Sequence, residues 1–171
     1  MQQAIFITGF NNWGKTRIIS DLFGRRSNFG SGRTYRLTET SVGDPFAVDS
    51  HSNDDFLGNR WIDERIQRRM VAVPPVSLIT ALCPSIEPGN HFVELLSNPL
   101  FSQFEKLHIF LIEHKWEYHA HLDIPEVIKV ARTIPTVNIV TINADAGISR
   151  VDERHIAKMA QIRREIELIF R

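Results

Sequence analysis

The chain has 171 residues, 43% hydrophobic and 23% charged, and its 20 basic and 20 acidic side chains cancel to zero net charge. That length suits one domain with a real core and is too short for two ordinary ones, so residues 1–171 are expected to form a single unit. Zero net charge argues against a nucleic-acid partner, the lone Cys83 suits a reducing cytoplasm, and the chain shows neither a membrane-length apolar run nor a signal peptide before its first strand.

In chain order, Ala4–Thr8 is short, apolar and rich in β-branched and aromatic residues, the pattern of a buried strand. Gly9-Phe10-Asn11-Asn12-Trp13-Gly14-Lys15-Thr16 follows, a full G-x-x-x-x-G-K-[ST]. From Lys15 to Phe23, residues Ile18, Ile19, Leu22 and Phe23 recur on one helical face. Strand, glycine loop and helix are the context a phosphate-binding loop requires. Gly9 and Gly14 allow backbone N–H groups to curl inward onto phosphate oxygens, and the helix adds its positive end. Lys15 is expected to reach the β- and γ-phosphates and Thr16 to offer its hydroxyl to Mg²⁺. Asn11, Asn12, Trp13 and Arg17 complete the expected cradle.

Residues 24–32 (GRRSNFGSG) form a basic, glycine-rich loop. Thr34–Thr40 alternates as a half-buried strand, Val42–Pro45 is a turn, and Phe46–Asp49 is a strand ending on an acid; so short a turn predicts an antiparallel hairpin. After the loop SHSNDD, residues Trp61, Ile62, Ile66 and Met70 mark a helix that Pro74-Pro75 stops. Val76–Leu82 is a strand, His91–Phe104 a helix interrupted at Pro99, and Leu107–Ile112 a strand. Pro125–Arg132 is a helix, Val137–Ile142 the last strand, and Asp152–Phe170 a long amphipathic helix. These crossovers predict an α/β fold with a mostly parallel sheet, one antiparallel strand and helices on both faces. Ligands in such sheets bind at the carboxyl ends of strands, where the phosphate loop, Asp49, His114 and Asn143 all fall.

The phosphate loop and the succession of elements resemble the P-loop NTPases, and in particular the G domain of small GTPases, across nearly the whole chain. The resemblance implies a three-layer P-loop NTPase fold and Mg²⁺-dependent binding of ATP or GTP. It implies a switch threonine that reaches Mg²⁺, for which Thr34 is the best match and Ser31 the second. The family's D-x-x-G-Q corresponds to Asp49-Ser50-His51-Ser52-Asn53: Asp49 would hold a water on Mg²⁺ and Asn53 would orient the attacking water. N-K-x-D corresponds to His114-Lys115-Trp116-Glu117, with only the lysine kept, and S-A-K to Asn143-Ala144-Asp145, with only Ala144 kept. The base-reading residues are altered, so guanine specificity is left open.

Asp54 and Asp55 are alternative metal or base residues, though a solvated loop or helix cap is the more ordinary role for them. Arg60, Arg65, Arg68 and Arg69 either hold an anionic acceptor or form an exposed face paired with Asp63 and Glu64. Arg25, Arg26 or Arg33 is a weak candidate for stabilising transferred charge. His114, His119 and His121 lack zinc-site spacing. Three functions follow: a slow nucleotide hydrolase or switch, ranked first; a kinase acting on a small molecule or nucleotide; and a non-catalytic nucleotide sensor, with a protein partner or homo-oligomer.

Overall fold

The computed structural model describes residues 2–26, 28–115 and 123–171. Among the described residues six strands form one sheet: β1 (Gln3–Thr8), β2 (Tyr35–Arg36), β3 (Pro45–Asp49), β4 (Ser77–Leu82), β5 (Lys106–Ile112) and β6 (Val137–Ile142). Their spatial order is β2-β3-β4-β1-β5-β6. Only β2 and β3 pair antiparallel, with Tyr35 opposite Phe46; every other pair is parallel. This is the expected α/β architecture with its single antiparallel strand. All six residues of β1 are buried, as befits a strand flanked by two parallel neighbours.

The helices are α1 (Lys15–Leu22), α2 (Asn53–Phe56), α3 (Asn59–Trp61), α4 (Gln67–Val71), α5 (Phe92–Leu96), α6 (Ile124–Ala131) and α7 (Val151–Ile169). A π-helical turn, Ile62–Ile66, joins α3 to α4. The Pro99 interruption is realised: Asn98 caps a 3-10 turn, Pro99–Gln103, by accepting from the Leu100 amide at 2.9 Å. α1 and α7 pack together, with His155 against Asp21 at 2.6 Å. Phe6 meets Phe101 of the 3-10 turn edge-on at 5.5 Å, and Phe46 meets Phe170, at the end of α7, at 5.3 Å, so aromatic pairs tie the sheet to the elements packed on it. No helix among the described residues is long and apolar enough to cross a membrane.

One expectation needs correction. The strand expected over 34–40 shrinks to Tyr35–Arg36. Thr38 turns back instead, and its amide and hydroxyl both donate to the Leu22 carbonyl, at 2.9 and 3.2 Å, closing the carboxyl end of α1. β4 lies between β1 and β3, so the strand ending in Asp49 is not the neighbour of the strand that feeds the phosphate loop.

Candidate functional site

The site is built at the carboxyl end of β1. Gly9 anchors the loop by donating its amide to the Leu82 carbonyl at the end of β4, 3.1 Å away. A side chain at Gly9 would bring its Cβ to 3.1 Å from the Trp13 Cβ, a tight contact that Trp13 would have to relieve by shifting. Gly14 adopts φ 82, the left-handed conformation that only glycine takes without strain, and caps α1. The amides of Lys15 and Thr16 then head the helix, where a first turn has no intrahelical acceptors.

Lys15 is 7% exposed. Its ammonium group folds back along the loop, donating to the carbonyls of Gly9 at 2.7 Å and Phe10 at 2.9 Å. Asp54 lies 3.8 Å from it. Burial lowers the Lys15 pKa, and the carboxylates of Asp54 and Asp55 oppose that shift. Thr16 is exposed and donates to the Ser50 carbonyl at 3.1 Å.

An open cleft of about 1080 Å³ lies over the loop. Asn11, Asn12, Trp13, Gly14, Lys15 and Thr16 all line it. Five cations (Lys15, Arg17, Arg25, Arg26 and Lys115) face two carboxylates (Asp21 and Asp55) around it. The excess positive charge favours an anion at the helix start. Arg25 is steadied over the Tyr35 ring, 4.9 Å from its centre.

Several expected residues do not join this cleft. Asp49 is fully buried, and both carboxylate oxygens are already taken. Oδ1 accepts from the His51 amide at 2.8 Å and Arg65 Nη2 at 3.2 Å; Oδ2 accepts from Arg65 Nε and Arg69 Nε, each at 3.0 Å. Burial alone would raise the Asp49 pKa, but the His51 amide and the two arginines outweigh it and the net shift is downward. Asp49 is thus the centre of a charge clamp and not a group presented to a metal. The same clamp engages Arg65 and Arg69, and Arg60 pairs with Glu64 at 2.9 Å.

Asn53 is also buried, with its whole amide engaged. Nδ2 donates to the Cys83 carbonyl at 3.1 Å and to Asn90 Oδ1 at 2.9 Å, while Oδ1 accepts from the Cys83 amide at 2.7 Å. It staples α2 to the end of β4 and cannot orient a water at the loop. Thr34 is exposed and outside the cleft lining.

Lys115 reaches the cleft, but His114 and Asn143 do not line it. The His114 and Lys115 carbonyls accept from Lys158 at 2.5 Å and Arg154 at 2.7 Å. Asp145, with almost no exposure, binds both cations, Arg154 at 3.0 Å and Lys158 at 3.1 Å. Burial lowers the Lys158 pKa, and Asp145 works against that. The amides of Asn143 and Ala144 both donate to Gln161 Oε1, at 2.9 and 2.8 Å. Glu117, with Trp116, His119 and His121, lies outside the described residues.

The acidic element that does approach the loop is α2. Ser52 and Asp55 line the cleft, locked in a capping box in which the Ser52 amide donates to Asp55 Oδ2 at 2.9 Å. The Ser52 hydroxyl also bonds Asp54. Among the described residues no three His, Cys, Asp or Glu gather to hold a metal by themselves. Thr16 and Asp55 both line this cleft, and each carries a hard oxygen of the kind Mg²⁺ accepts, although the Thr16 hydroxyl donates to Ser50 and Asp55 Oδ2 accepts from Ser52. No protein-family model matches this chain, and no curated protein or solved structure matches it either.

Proposed function

We propose that this chain is a P-loop nucleotide-binding domain of the three-layer NTPase type that binds Mg²⁺ with ATP or GTP and hydrolyses the nucleotide slowly, as a switch of the G-domain kind. One observation carries the reading: the Lys15 ammonium is buried against its own loop carbonyls at the head of α1, beneath a cleft with five cations. A lysine held there is pre-positioned for the terminal phosphates, and the loop amides and helix start supply further positive potential. Thr16 and Asp55 are the residues that would hold Mg²⁺, which would neutralise charge on the β- and γ-phosphates.

Turnover by this arrangement is slow for a physical reason. The expected water-orienting amide of Asn53 is committed elsewhere, and Arg65 and Arg69 are bound to Asp49. Catalysis then falls to positioning and charge neutralisation alone. Guanine reading is not part of the proposal, since the Asn143 and Ala144 amides are occupied by Gln161. Release of nucleoside diphosphate from ATP and from GTP, with Mg²⁺ and with Lys15→Ala as the control, tests it. Slow release that Lys15→Ala abolishes supports hydrolysis; release unchanged in that variant refutes it.

A further inference from the structure

The phosphate loop has a second cavity on its other side. It measures about 680 Å³, within the range of small-molecule sites. Phe10, Pro84, Ile86, Phe92, Val127 and Val130 supply apolar wall. The two cavities meet at the loop itself: Asn11 lines both, and Asp54 of the cavity lies 3.8 Å from Lys15 of the cleft.

Their charges are opposite. Among the described residues the cavity lining carries four carboxylates (Asp54, Glu87, Asp123 and Glu126) and no lysine, arginine or histidine; Lys129 lies outside it, 3.9 Å from Glu126. A nucleotide or a phosphate would be repelled there, whereas an ammonium group on an apolar body would be attracted. Asp54 stands where the two meet, its carboxylate bonded by Ser52 and faced by Lys15. Cys83, also in the wall, is no rival nucleophile: burial pushes its thiol up to about 11, so it stays protonated at neutral pH.

We propose that this cavity is an acceptor site for an apolar amine bearing a hydroxyl group, which the chain phosphorylates from a nucleoside triphosphate held on the phosphate loop. The inference rests on the nucleotide reading above. The acceptor hydroxyl oxygen forms a bond to the γ-phosphorus, and the bond from that phosphorus to the β,γ-bridging oxygen breaks. The electron pair leaves with the nucleoside diphosphate, and the hydroxyl proton passes to the Asp54 carboxylate. Water entering by the same route gives the slow hydrolysis.

The test uses phenylalaninol, an apolar amino alcohol, against 3-phenyllactate, which has the hydroxyl but a negative charge. With Mg²⁺ and ATP or GTP, phenylalaninol should raise diphosphate release at least tenfold and yield its phosphate monoester, and 3-phenyllactate should do neither. Val130→Phe, which fills the cavity, should lose the stimulation while calorimetry still records nucleotide binding. Asp54→Asn should lower transfer about a hundredfold, the scale of a lost general base. Equal stimulation by both alcohols, or stimulation that survives Val130→Phe, overturns the proposal. No transfer to phenylalaninol with Lys15-dependent nucleotide binding intact overturns it and leaves the nucleotide reading standing. Absence of nucleotide binding overturns both.

Discussion

The carboxyl ends of β1 and of β5 and β6 lie side by side, yet they dispose of their polar groups in opposite ways. At β1 the lysine, the threonine and the helix-heading amides of α1 line an open cationic cleft. At β5 and β6 the carbonyls of His114 and Lys115 and the amides of Asn143 and Ala144 are taken by Arg154, Lys158 and Gln161 of α7. The first end leaves a cationic cleft open, and at the second these described polar groups are taken by the chain itself. A polar residue at a strand end is therefore weak evidence of a site until its partners are known.

The Asp49 clamp, at the carboxyl end of β3, is likewise closed by the chain's own residues, and breaking it should have the largest effect. Asp49→Asn removes the one carboxylate shared by Arg65 and Arg69 and should cost about 3–5 kcal/mol of stability, read by urea unfolding. A small stability change with lost Mg²⁺ dependence would instead return Asp49 to the metal.

A pH effect of up to about 3 kcal/mol comes from the amino-terminal half of β5. His108, between Gln3 and Asn138, has its pKa pushed down to about 4 by burial, with Lys106 adding to the shift. The unfolded chain takes up this proton near pH 6.5, whereas the folded chain resists it until about 4. Stability is thus full above pH 6.5 and falls as the pH drops toward 4. His108→Gln should flatten that acid limb, and an unchanged limb would contradict the assignment.

At the open end, Lys15→Ala should weaken nucleotide binding about 10- to 100-fold, the worth of a hydrogen bond from a charged group, with little loss of stability. Calorimetry with ATP and GTP reads this directly. The smallest effect is expected at Gln161→Ala. It frees two exposed amides and should cost about 1 kcal/mol, with no change in nucleotide preference. A gain in GTP affinity would mean that the Asn143-Ala144 loop reads the base once released.

The open end was legible in the sequence because its features are local. Gly9, Gly14, Lys15 and Thr16 act within eight residues, and the strand and helix on either side carry clear apolar patterns. The groups that the chain closes upon itself were not legible because their partners are remote. Asp49 meets Arg65 and Arg69 across 16 and 20 residues, and Asn53 meets Cys83 across 30. The π turn Ile62–Ile66, which carries Arg65, departs from the helical period by which sequence patterns are read. Chain order also does not fix spatial order: nothing in residues 76–82 marks β4 as the strand between β1 and β3. Asp54 and Asp55 were visible as acids, but only the packing of α2 beside the loop distinguishes Asp54, facing Lys15, from Asp55, in the capping box.

The most direct test is a titration with ATP and with GTP, in the presence of Mg²⁺, following tryptophan fluorescence. Trp13 lines the cleft and packs against Phe10 at 6.0 Å, so a ligand on the loop changes its surroundings. The account predicts a saturable change with at least one nucleotide that Lys15→Ala abolishes or shifts to at least tenfold higher concentration. The same titration curve in the wild type and in Lys15→Ala, or no change in either, would contradict it.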